Sequence, residues 1–277
     1  MRLAYFDCIA GISGDSAFGA LVDLGVDVAE LRAHLGTLPL EPFELEVEQV
    51  DEHGVLATRI GVRAARAGIV RTYASVRALL DASDLPADAL ALAHRIFRRY
   101  AEAEARVHRR DIESVTFHDL AGLDAIIDVA GVALGLTMLG VDRVFASAVP
   151  TGLGMSRTGH GAIPIPTPTV VELLRGAPLF SRGVAAELTN ATGASILAAT
   201  VEGFGELPPL RIETVGYGAG TARLDFPNIT RVLVGTEEPA SSLPSTAGPP
   251  ELRLVPEPDD AAEETGGADG ADEGDAG

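Results

Sequence analysis

No lysine occurs anywhere in the 277 residues; all 21 basic side chains are arginine. Schiff-base chemistry and a P-loop lysine are therefore excluded, and any bound anion must be held by guanidinium or backbone N–H groups. A single cysteine, Cys8, rules out an intramolecular disulfide framework and fits a reducing compartment. No long apolar run is present either. The opening Met1-Arg-Leu-Ala-Tyr-Phe-Asp7 reads as neither signal peptide nor membrane span, so a cytoplasmic chain with no membrane partner is expected.

What is present bounds the rest. Apolar residues make up 47% of the chain, enough for a large core. The formal net charge is −19, but from Glu237 onward twelve acids face Arg253 alone, a net of −11 that leaves −8 for residues 1–236. That balance argues against a nucleic-acid partner. The expected architecture is one α/β domain over 1–236, a mixed sheet with flanking helices. A Pro-, Gly- and acid-rich tail over 237–277 follows, which cannot bury enough apolar surface to be ordered.

The first chemical centre is Leu3 to Asp15. Leu3, Tyr5, Phe6 and Ile9 read as a buried strand, and from Ser16 the apolar positions Phe18, Leu21, Val22 and Leu24 switch to helical spacing. Asp7 and Cys8 then sit near the strand's C-terminal end, where α/β sheets bind ligands. Gly11, Ser13, Gly14 and Asp15 form the turn before the helix. The turn lets backbone approach a phosphate or carboxylate closely, or it is simply a tight turn in which Ser13 or Asp15 caps the helix. No Gly-Lys-Ser/Thr follows it, and the spaced glycines of a dinucleotide fingerprint are missing.

Beyond it the pattern predicts a helix to Leu35, interrupted near Gly25-Val26-Asp27, then a hairpin of Phe43–Val50 and Val55–Val62 with His53 in its turn. Helices are expected over Tyr73–Ala82 and Pro86–Val107, with Ser83 to Pro86 as an N-cap and first-turn proline. Arg95, Arg98, Arg99, Glu102, Glu104 and Arg106 read as a solvated face of the second. Arg143–Val149 reads as a strand, followed by a glycine-rich loop carrying Ser156 and His160 between two glycines. Thr167-Pro168 starts a helix, and Thr192-Gly193 opens another helix as a second anion cradle or a plain cap. Leu210–Val215 and Ile229–Val234 are strands, and Gly216–Gly220 a flexible loop.

The second centre runs from Ser114 to Gly131. A short strand through Val115 and Phe117 ends at His118-Asp119, and Asp124 and Asp128 fall four residues apart on one face of the next helix. Two like charges at that spacing repel, a cost offset when a cation, an arginine or a functional proton lies between them. His118, Asp119, Asp124 and Asp128 could supply an imidazole and carboxylates to a divalent metal, with His160 as a further candidate. The alternative is an N-cap at Asp119 with surface aspartates.

The motifs Phe6-Asp-Cys-Ile-Ala-Gly-Ile-Ser-Gly-Asp15, Phe117-His-Asp119 with Asp124 and Asp128, Pro150-x-Gly-x-Gly154, His160-Gly161, Pro164-x-Pro-x-Pro168 with Glu172-Leu-Leu174, Thr192-Gly-Ala194 and Gly216-Tyr-Gly-Ala-Gly220 occur in an order that resembles the N-terminal domain of the LarC nickel-insertion family. That resemblance implies nickel insertion into pyridinium-3,5-bisthiocarboxylic acid mononucleotide, giving the nickel-pincer cofactor of lactate racemase-type enzymes. The reaction is CTP-dependent and assisted by manganese or magnesium. It implies Asp7, Cys8 and Asp15 as catalytic candidates. Gly11, Ser13, Gly14, Thr192 and Gly193 would meet the substrate phosphate, and Cys8, His118 and His160 would be ligands for nickel in transit. The family's histidine-rich loop is Ala64–Arg71 here, and its C-terminal nucleotide-binding domain has no counterpart. A separate C-terminal chain is therefore an expected partner, along with the apo-enzyme that receives the cofactor, and a homo-oligomer is compatible. The rival readings are a nickel carrier without chemistry and a phosphatase-like hydrolase using Asp7 and a divalent cation.

Overall fold

A computed structural model describes residues 1–64, 71–117, 122–158 and 161–238. His118, Asp119, His160, most of the Ala64–Arg71 segment and the tail from 239 lie outside the described residues. The strands are β1 (Arg2–Asp7), β2 (Phe43–Glu52), β3 (Val55–Ala64), β4 (Arg71–Thr72), β5 (Thr116–Phe117), β6 (Arg143–Ala146), β7 (Val149–Thr151), β8 (Met155–Thr158), β9 (Gly161–Pro164), β10 (Leu179–Ser181), β11 (Val201–Phe204), β12 (Leu210–Ala219) and β13 (Ile229–Glu237). The helices are α1 (Gly14–Asp23), α2 (Val28–Leu35), α3 (Tyr73–Asp81), α4 (Ala87–His108), α5 (Leu123–Met138), α6 (Pro168–Leu173) and α7 (Ala191–Thr200). None of these helices is long and apolar enough to cross a membrane.

Seven strands form one mixed sheet in the order β11-β6-β1-β13-β12-β3-β2. β1, β6 and β11 run parallel, β13 is antiparallel to both β1 and β12, and β2 closes the edge antiparallel to β3. Strand alternation sorts the side chains between the two faces. Ala4 and Phe6 of β1, Val144 and Ala146 of β6, and Val232 and Val234 of β13 face the helices in one continuous core. Leu3, Tyr5 and Leu233 form a small cluster with Phe145 on the opposite face. Asp7 has the parity of Leu3 and Tyr5. It therefore faces away from the helices.

Glycines set how closely α1 lies on the sheet. A Cβ on Gly216 would come within 2.1 Å of the Ala20 carbonyl oxygen, and one on Gly218 within 1.8 Å of that of Ser16. This is why Gly216–Ala219 is strand and not the flexible loop that its glycine content suggests: the glycines are there for helix contact. β12 and β3 pair only at Gly218 and Thr58. Beside that contact the Asp23 carboxylate accepts from Tyr217 N–H at 2.9 Å and from the Thr58 hydroxyl at 2.8 Å. On its other side α1 meets α5, where a Cβ on Gly131 would collide with the Phe18 ring at 2.4 Å.

Other boundaries differ from the sequence pattern for local reasons. The Arg143–Val149 run breaks into β6 and β7, which join different sheets. The loop after Gly154 is a β8–β9 hairpin. Pro86 is the N-cap of α4 and makes no side-chain capping bond, so Ser83 does not cap it. Glu104 is not on the solvated face: it is buried, accepts a hydrogen bond from the Thr169 hydroxyl and pairs with His108 at 3.3 Å.

Candidate functional site: three helix N-termini around buried carboxylates

α1, α5 and α7 all begin at the same end of the sheet, and their first turns enclose a cavity of about 410 Å³. Ser13 and Asp15 enter from α1, Asp124 and Asp128 from α5, Asn190 and Thr192 from α7, with Glu187 just ahead of α7. Ile60 and Val62 of β3 and Asn228 close the remaining side. Each helix is placed there by a strand or turn that packs without a Cβ. Gly11 has φ +101°, and a Cβ on it would lie 2.0 Å from the Leu188 carbonyl oxygen; one on Gly193 would lie 2.2 Å from that of Ile12. A Cβ on Gly14 would meet Asp128 Oδ2 and Thr192 Cγ2, both at 2.6 Å. These three glycines therefore bring the turn at 8–13 against 187–193 and seat the Asp128 carboxylate on the backbone of α1.

Asp128 is the floor of the cavity. It is buried, and among the described residues its carboxylate has no hydrogen-bond partner. Burial pushes its pKa well above the ordinary carboxylate value, and the neighbouring charges of Asp15 and Asp124 push it further up. Asp15 is raised as well, first by burial. Its hydrogen bonds from the Ser13 hydroxyl and from Ser16 N–H, the latter at 2.9 Å, and the charge of Arg59 work in the other direction. Asp124 is exposed at the mouth. The i, i+4 pair thus divides its roles: one carboxyl meets solvent, the other is buried and faces only the cavity.

The remaining sequence candidates are placed elsewhere. Asp7 does not line the cavity; it pairs across the sheet with Arg231, whose Nε lies 3.1 Å from Asp7 Oδ2. Cys8 is in the core, and burial pushes its thiol up to about 12, so the sulfur is protonated and shielded. That is the environment of a small apolar residue. Gly193 N–H is already capped by Asn190 Oδ1 at 2.9 Å. Among the described residues, no three His, Cys, Asp or Glu side chains are arranged to hold a metal ion. His118 and Asp119, which precede α5, and His160 are outside those residues.

Glu187 and Asn228 are cavity residues that the motif reading passed over. The Ser156 hydroxyl donates to Glu187 at 3.4 Å, and Asn228 Nδ2 donates to the Ala222 carbonyl at 2.7 Å. No local spacing marks either, because each reaches the cavity from a loop far from Asp128 in the chain.

The family model described as "Nickel insertion protein" matches residues 4–253. The chain is 40% identical over 235 residues to the pyridinium-3,5-bisthiocarboxylic acid mononucleotide nickel insertion protein of Desulfitobacterium hafniense, covering 85% of this chain and 58% of that one. It is 42% identical over 238 residues to a putative nickel insertion protein of Geotalea daltonii (85% and 61% of the two chains). A third relative, from Citrifermentans bemidjiense and named in the same way, is 43% identical over 237 residues (85% and 62%). The chain thus spans about three fifths of the length of these curated relatives. No solved structure matches it. With the match running through the strand, the three helix starts and both aspartates of α5, the chain belongs to the nickel insertion protein family.

Proposed function

We propose that this chain holds the metal and the substrate during nickel insertion into pyridinium-3,5-bisthiocarboxylic acid mononucleotide, the reaction named for its Desulfitobacterium relative. The observation that carries the reading is Asp128, a buried carboxyl with no hydrogen-bond partner among the described residues, facing a cavity that two further aspartates share. An isolated buried carboxyl is costly, and a cation entering the cavity offsets that cost.

The charge of the walls decides which ligand parts go where. Asp15, Asp124, Asp128 and Glu187 line the cavity, and among the described residues no basic side chain does. A dication and the positively charged pyridinium ring are attracted to such walls, whereas a phosphate dianion is repelled from the floor and belongs at the rim. There Ser13 and Thr192 stand at the first turns of α1 and α7, near the positive ends of their helix dipoles. Oxygen donors of this kind also suit manganese or magnesium, and Asp124 and Asp128 would hold it. Bound there, such an ion supplies charge neutralisation for the incoming substrate. Nickel is cargo, and its preferred sulfur donors arrive with the substrate's two thiocarboxylates. His118, Asp119 and His160 belong to this reading as further donors. The upward shift at Asp128 makes protons compete with a cation for its carboxylate, so binding weakens as pH falls.

CTP binding, transfer of the product to a lactate racemase-type apo-enzyme and assembly with a C-terminal chain are proposed on family resemblance. The test supplies the chain with the C-terminal part of a relative, CTP, manganese and the dithiocarboxylate precursor. Asp128→Asn should weaken cation binding and insertion by at least about tenfold while the far-ultraviolet circular dichroism stays unchanged. Wild-type insertion by a folded Asp128→Asn protein would overturn the assignment.

A further inference from the structure

A second cavity, about 480 Å³, lies at the other end of α7, between α4, the end of α6 and β11. Its walls are apolar where α6, α7 and β11 face each other, through Leu173, Leu197, Val201 and Phe204, and Arg99, Arg106 and Arg175 line its α4 and α6 sides. A smaller pocket of about 330 Å³ shares Arg99 with it and is lined by Arg95, Arg98, Glu102 and Ala199. An apolar compartment and an arginine-lined annex thus lie side by side, with Arg99 lining both. Neither touches the residues of the carboxylate cavity.

The arginines exceed what the fold uses. Glu172 holds Arg175 at 2.6 Å and is also paired with Arg106, which ties α4 to α6. Glu102 is shared by Arg98 at 2.9 Å and Arg99 at 3.6 Å, both more than half exposed. Arg95 has no ionic or hydrogen-bond partner among the described residues, although it stands on the same face of α4, one turn from Arg99. Five guanidinium groups thus meet two carboxylates, a local excess of +3 in a protein whose residues 1–236 sum to −8. Like charges crowded along one helix face are unfavourable alone. A planar guanidinium fork is the side chain best matched to a phosphate.

We propose that this cleft is a second ligand site, for an organic phosphate whose apolar or aromatic body enters the compartment between α6, α7 and β11 while its phosphate lies against Arg95, Arg98 and Arg99. Its volume is in the range of small-molecule sites, and apolar walls with a few convergent charged groups are their usual construction. The anion completes an arginine row that Glu102 neutralises only in part.

Calorimetry in metal-free buffer with EDTA tests this, using 1-naphthyl phosphate as the probe and inorganic phosphate and 1-naphthol as its separate halves. Naphthyl phosphate should bind one per chain, at least about tenfold more tightly than either half. The Arg95→Ala/Arg99→Ala double variant should weaken it about tenfold or more. Ala198→Phe, which narrows the apolar compartment, should weaken naphthyl phosphate and spare inorganic phosphate. Asp128→Asn should change nothing, which separates this site from the carboxylate cavity. Absence of naphthyl phosphate binding, undiminished binding to the double arginine variant, or inorganic phosphate binding as tight as naphthyl phosphate would each overturn the proposal.

Discussion

The two ends of α7 are opposites. At its N-terminus four acids surround a cavity that among the described residues has no basic side chain in its lining, and one of those acids is buried with no hydrogen-bond partner among them. At its C-terminus, arginines outnumber the acids around an apolar cleft and stay largely exposed. A buried charge and an exposed one teach different things. The acidic end stores its electrostatic cost in the fold, through burial that pushes Asp128 toward its neutral form. The arginine end stores little, because water screens exposed guanidinium groups.

The comparison can be broken at its structural root. The acidic end exists because glycines let α1 lie on β12, so Gly218→Val, which places atoms within 1.8 Å of the Ser16 carbonyl oxygen, should cost at least about 3 kcal/mol. Urea unfolding measures it, and a loss below about 1 kcal/mol would show that the close approach is not needed. A smaller effect separates the two ends by pH. A carboxyl whose folded pKa lies above its unfolded one binds more protons in the native state, so its contribution falls as pH rises from the ordinary carboxylate range through the folded pKa. In metal-free protein Asp128→Asn should therefore raise the melting temperature at neutral pH, by about 2–4 °C per kcal/mol recovered. The gain should shrink toward acid pH. A melting temperature lowered at neutral pH would mean that the charged form is stabilised by something else. The smallest effect belongs to the arginine end: Arg95→Ala should move stability by no more than about 0.5 kcal/mol, since the side chain is exposed and unpaired among the described residues. A larger loss would make Arg95 part of the framework and weaken its assignment to a ligand.

Much of the architecture was legible from local pattern. Alternation over Phe43–Val50 and Val55–Val62 marks β2 and β3, and the switch from strand to helix around Gly14 marks the β1–α1 corner, because periods of 2 and 3.6 are properties of the chain itself. Gly216–Ala219 was misleading because the same glycine content serves a loop or a close helix contact, and only packing distinguishes them. β10 and β11, of three and four residues, are too short to carry a period.

By itself the sequence determined that no lysine or disulfide chemistry is available, that Asp124 and Asp128 share one helix face, and that Asp15 follows a tight turn at a helix start. Those are statements about residue type and near spacing. Tertiary structure alone decided that Asp15 and Asp128, more than a hundred positions apart, act on the same cavity while Asp7, eight residues before Asp15, turns to the far face of the sheet. It also decided that Cys8 is core and that α4's arginines border an apolar cleft. The physical reason is that burial and electrostatic coupling depend on distance in space, and strand parity separates near neighbours in the chain as readily as helix packing joins remote ones.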